Sequence, residues 1–147
     1  MEQARKHLKT SSFVVLVFVV FSLLNIATEL FFGEFNNALI PDGAPENILQ
    51  ITKIFVLAVS FILLLPQIYI GVKGLRIAKK PNASKGHIVW ASILFVFALL
   101  GLIDPILNLL NQGSVYENIS ALLSVLIEVI VFFEYIKYAK AVANSCK

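Results

Sequence analysis

The chain is expected to be an all-α integral membrane protein: an antiparallel bundle of four transmembrane helices, with both termini in the cytoplasm. Three observations lead there. Hydrophobic residues make up 59% of the 147 residues and charged residues 14%, against roughly 45–50% and 25% in soluble domains. Four apolar stretches run from Phe13 to Phe32, Ile54 to Val72, Ile88 to Leu110 and Ile119 to Tyr138. Each approaches the ~20 residues that cross a ~30 Å hydrocarbon core. All of the 12 Lys and Arg residues except Lys53 precede the first stretch, lie between the second and third, or follow the fourth. Basic flanks stay in the cytoplasm, so the N-terminus, the middle loop and the C-terminus are all expected inside. The reading is one domain over 1–147, with helices over about 12–33, 46–80, 85–110 and 117–140.

Helix one follows Arg5, Lys6 and Lys9. That charge pattern begins like a signal peptide, but the apolar run exceeds an h-region of roughly 7–15 residues and no small-x-small cleavage site follows. An uncleaved first helix is expected, ending near Gly33. The outer loop over 34–50 carries Glu34, Asp42 and Glu46, with Pro41, Gly43 and Pro45 as turn signals. Pro45 suits a first helical turn, and Glu46 beside it complements the helix dipole, so helix two starts there. Pro66 removes a backbone hydrogen bond inside helix two and predicts a kink. Pro81-Asn82 stops that helix. The loop that follows is short, which makes helices two and three antiparallel neighbours.

Helix three starts near Lys85-Gly86. Asp104-Pro105 interrupts it, with Asp104 as the N-cap and Pro105 at the first position of a short helix over 105–111. Helix four begins around Glu117 and ends in a tail with Lys137, Lys140 and Lys147. Tyr69, Trp90, Tyr135 and Tyr138 fall near the inner interface and Tyr116 near the outer one, as an aromatic belt would.

Chemistry in such a chain rests on polar groups within the bilayer, which are expensive there and face the bundle or a cavity. Glu128 lies about nine residues from the outer end of helix four, roughly 14 Å deep and near the midplane. No Lys or Arg shares that depth. Ser120, Ser124 and Glu128, at i, i+4 and i+8, form one stripe on helix four. Helix one offers Ser22, Asn25 and Glu29; helix two offers Ser60, Gln67, Gly71 and Gly74; helix three offers Gly101, Asp104 and Asn108. Stripes of small and polar residues facing inward, with aliphatic faces outward, suit helix packing in lipid.

The candidate intramembrane site is therefore Glu128, Ser124, Asn25 and Gln67. Three roles stay open for Glu128: a functional carboxyl, a hydrogen-bonded link between helices, or an oligomer contact. Gln67, Asn25 and Asn108 are read as interhelical hydrogen-bonding groups. Glu29 and Asp104 both come out near the outer headgroups, as acids at an outer mouth or as solvated interface groups. Lys73, Arg76, Lys79, Lys80 and Lys85 make a basic inner face suited to anionic lipid headgroups.

Several function classes drop out. The net charge of +3 comes from helix flanks, so no nucleic-acid partner is expected. His7 and His87 are read as flank residues, since neither has a Cys or acidic neighbour at metal-ligand spacing. No HExxH, GxSxG, phosphate-binding loop or GxGxxG is present, and no Ser is expected to have a buried His partner. No enzyme activity, metal or cofactor is expected. The one cysteine, Cys146, excludes an intrachain disulfide.

The segment from Gly71 through Val72-Lys73-Gly74-Leu75-Arg76-Ile77-Ala78-Lys79-Lys80-Pro81 to Asn82, then Ser84 to Trp90, resembles the basic inter-hairpin loop of uncharacterised small bacterial inner-membrane proteins. The resemblance covers about twenty residues. It implies a bacterial inner membrane and no particular activity. Small multidrug transporters also have four helices and one membrane carboxylate, but theirs lies on helix one. Two functions are expected from different classes. One is a non-enzymatic accessory, regulatory or immunity-type module that binds a membrane protein partner or a second copy of itself. The alternative is a small proton- or cation-coupled transporter or channel using Glu128. A dry, packed core favours the first; a polar cavity reaching Glu128 favours the second.

Overall fold

A computed structural model of the chain describes residues 2–32, 46–110 and 115–146. Helices account for nearly all of them: α1 (Glu2–Phe32), α2 (Glu46–Lys79), α3 (Gly86–Leu100), α4 (Ile103–Leu110) and α5 (Val115–Asn144). Among the described residues, four helical stretches are long and apolar enough to cross a membrane: Glu2–Thr28, Gln50–Lys79, Gly86–Leu110 and Asn118–Asn144. The outer loop read from sequence lies outside the described residues, apart from its last few.

Helix α1 neighbours α2 and α5, and α3 neighbours α5 and α2, which sets the four long elements in a ring. Neighbours run in opposite directions. Along α1 and α2, Arg5 meets Ala78, Leu16 lies beside Gly71 and Asn25 shares a cleft with Ser60. Along α1 and α5, His7 stacks on Tyr138, while Ser22 shares a cleft with Ser124. One end of the bundle thus gathers the start of α1, the 80–85 connection and the end of α5, and with them most of the basic residues.

Packing is tightest at that basic end. Leu8, Val15, Ile70, Ile77, Ala91, Leu94, Phe132, Tyr135, Ala139 and Val142 form one buried cluster. Close helix approach depends on glycine here. A Cβ on Gly74 would meet Ser12 Oγ and sit 2.7 Å from the Tyr135 ring, and one on Gly71 would sit 2.6 Å from Leu16. Small residues let helix backbones approach in this way. Towards the opposite end, among the described residues, Val19, Ile26 and Leu64 form a small buried cluster between α1 and α2, and Pro105 is buried in α4.

Three elements differ from expectation. Helix α1 begins at Glu2 rather than near residue 12, because its first turns have their own anchors. Glu2 pairs with Lys6 at 3.0 Å, Leu8 is buried, and Arg5 bonds the end of α2. Helix α5 continues to Asn144, past the expected 140, because Val142 and Ala143 still pack in the core. The interruption of the third span falls at Gly101-Leu102, and Asp104 sits in the first turn of α4 instead of capping it. Pro105 lacks the N–H that would bond Gly101, so the helical ladder fails one turn before the proline. Helix α2, by contrast, runs through Pro66 without a break.

Candidate functional site

On α5, Ser124 and Glu128 stand one helical turn apart, as the i, i+4 spacing requires. On α1, Ser22 and Asn25 share the face that meets α5. These groups line a single cleft of about 450 Å³ together with Gln67 of α2 and the apolar walls Phe18, Phe21, Val125 and Ile127. A second cleft of about 260 Å³ continues between α1 and α2; it shares Ser22, Asn25 and Gln67 and adds Ser60. The structure therefore brings together all four residues named for the intramembrane site, from three helices.

The cleft opens between α1 and α5. Phe21, Asn25, Ser124 and Ile127 on its rim are exposed, while Ser22, Gln67 and Glu128 are half-buried. Ser124 Oγ donates to Ser120 O at 3.0 Å within its own helix. Among the described residues, the side chains of Ser22, Asn25, Gln67 and Glu128 make no hydrogen bond. That departs from the reading of Asn25 and Gln67 as interhelical hydrogen-bonding groups: they face open space. Asn108 is exposed as well.

The cleft is closed towards the basic end. Phe132 and Tyr135 continue the Glu128 face of α5 at i+4 and i+7, and both are fully buried. Tyr135 donates its hydroxyl to Ile70 O at 2.8 Å, tying α5 across the bundle to α2. Gly74 leaves room for that ring beside Ser12, and Ser12 Oγ donates back to Leu8 O at 2.6 Å. Carboxylate, amides and hydroxyls thus open to one side of a sealed aromatic layer. Such a set supplies oxygen ligands for a cation and one exchangeable proton site, with no basic side chain in its walls.

The remaining candidates lie apart. Asp104 is exposed at the start of α4; the side chain of Glu29 lies outside the described residues. Of the basic face, Lys73 is half-buried and Arg76, Lys79, Lys80 and Lys85 are exposed. No group of three or more His, Cys, Asp or Glu capable of holding a metal occurs among the described residues. Cys146 is free and exposed.

Two residues at the basic end stand differently from their sequence reading. Tyr135, placed in the interfacial belt, is core. His87, read as a flank residue, is fully buried, with neither ring nitrogen hydrogen-bonded among the described residues. Its ring meets Tyr135 edge-on, with centroids 6.0 Å apart and planes at 83°. The spacing His87, Ala91, Leu94, Ala98 is one helical face with two small members, a signal that would have placed His87 inside. No known protein family, curated protein or solved structure was found to match this chain.

Proposed function

We propose that this chain is an integral multi-pass protein of a bacterial inner membrane, with both termini and the 80–85 connection in the cytoplasm, and that it acts without enzymatic chemistry as a small proton- or cation-coupled transporter centred on Glu128. Insertion is supported by four apolar helices and by large side chains such as Phe21, Phe61, Leu65 and Phe133 that stay exposed. Soluble monomers rarely expose apolar surface on this scale. The orientation is supported by the basic residues gathered at one end of the bundle, as charge retention in the cytoplasm requires. The bacterial inner membrane rests on the resemblance of the basic loop.

The observation that carries the transport reading is the polar cleft of about 450 Å³ that reaches Glu128. A carboxyl near mid-bilayer costs free energy unless a polar cavity serves it. In the proposed orientation the cleft lies on the outer side of the Phe132–Tyr135 layer, which closes it from the cytoplasm, as in one access state of an alternating carrier. Glu128 takes the proton or cation, Asn25, Gln67 and Ser124 orient it, and parting of the aromatic layer releases it inward. Purified protein in liposomes is expected to show pH-dependent cation or proton flux, abolished in Glu128→Gln with unfolding temperature unchanged. Equal flux in the variant, or none in the wild type, contradicts this reading.

The lateral opening between α1 and α5 favours a second reading. Exposed polar groups on a membrane-facing cleft also suit the helix of a partner or a second copy, whose own polar groups would satisfy them. Absence of flux together with a stoichiometric partner retained in mild detergent would select that accessory module instead.

A further inference from the structure

We propose that the groove between α3 and α5 at the basic end is a binding site for one anionic phospholipid of the cytoplasmic leaflet. Its headgroup would sit at Lys85 and Lys140 and an acyl chain along α3. The proposal rests on the membrane reading above, but not on transport. At the basic end, Lys85 of the 80–85 connection and Lys140 of α5 line the same cleft of about 270 Å³, with Ala143 and Asn144 beside them. Lys140, Ile88 and Val89 also line an apolar groove of about 550 Å³. The two spaces are therefore one site, charged at the bundle end and apolar along the helix.

The apolar part follows Val89, Ile93, Val96 and Phe97. They lie at i, i+4, i+7 and i+8, a single face of α3 about 12 Å long. All four are exposed. A groove with a cationic mouth and an apolar run along the bilayer normal has the two-part chemistry of a phospholipid.

Charge complementarity decides the headgroup. Neither Lys85 nor Lys140 has an acidic partner among the described residues. Lys85 is also the N-cap residue of α3 and makes no side-chain capping bond. A cation at the positive end of a helix dipole is the unfavourable pairing, and an anion bound there reverses it. A zwitterionic headgroup brings its own cation and gains less from this site.

Trp90, the one tryptophan of the chain, follows Val89 on α3 and is exposed, so its fluorescence reports on lipid beside the groove. The protein is reconstituted in mixed vesicles with phosphatidylglycerol or phosphatidylcholine brominated near the glycerol end of the acyl chain, and quenching of Trp90 fluorescence is compared. The expected result is quenching by both lipids with a preference for phosphatidylglycerol on the order of fivefold to tenfold, given two lysines at the mouth. Lys85→Ala with Lys140→Ala should bring that preference close to unity. Lys6→Ala with Lys9→Ala, which removes the same charge from exposed positions of α1 at the basic end, should leave it in place. Equal quenching by the two lipids in the wild type overturns the proposal, as does an equal loss in both double variants. Quenching by neither lipid overturns the membrane reading itself, and the lipid site with it.

Discussion

His87 is a fully buried imidazole with both nitrogens unpartnered among the described residues. An unsatisfied buried polar group costs about 1–3 kcal/mol relative to one that is hydrogen-bonded. Replacing it with an apolar residue of similar volume removes that cost and keeps the packing against Tyr135. His87→Leu is therefore expected to stabilise the protein by about 1 kcal/mol, measured as a higher unfolding temperature in detergent. A lower unfolding temperature would show that the imidazole is bonded in the membrane. At this scale the sequence was legible for the α5 stripe, because Ser124 and Glu128 repeat at helical spacing. It was not legible for His87 and Tyr135. Amphipathic rings near a basic flank suit an interface and a core alike, and only the neighbouring helices decide between them.

At the scale of elements, the N-terminal turns of α1 act as a clasp on α2. Arg5 donates through Nε to Ala78 O at 2.8 Å and through Nη2 to Lys79 O at 2.9 Å. These are carbonyls of the last turn of α2, which have no intrahelical donor, and a cation there also opposes the negative end of the dipole. Arg5→Ala is expected to cost about 1 kcal/mol, since one of the two bonds is exposed. Exposed Lys9, changed to alanine, should cost almost nothing. Equal effects on the unfolding temperature would mean the clasp adds no stability. Hydropathy reads the apolar part of α1 and stops at Ser11-Ser12, so the polar first ten residues gave no sign of belonging to the helix. Their helicity comes from Arg5 and from Leu8 packing on other helices, a tertiary cause that periodicity within one segment does not carry. The break in the third span was legible as a proline effect. Its position was not, because the lost bond acts one turn upstream, at Gly101.

For the whole molecule, the balance between two halves matters most. The basic half is sealed by glycine-mediated helix contact, the Tyr135–Ile70 bond and a continuous apolar cluster. The other half holds the polar stripes apart around the cleft at Glu128. Composition and charge order make four apolar helices legible, because membrane crossing is a length and hydropathy requirement. The clustering of Asn25, Gln67, Ser124 and Glu128 into one cleft depends on how three helices are rotated, which the stripes only outline. The central claim is that this cleft, open laterally between α1 and α5, is also reached by water from the outer side as far as the aromatic layer. Cysteine accessibility tests it most directly, in a Cys146→Ser background, with a membrane-impermeant thiol reagent added outside intact cells. Ser22→Cys and Ser124→Cys are expected to react, whereas Val15→Cys, fully buried in the cluster that contains Phe132 and Tyr135, stays unmodified. Silence at both cleft positions, or labelling of Val15→Cys at the same rate, would contradict the account.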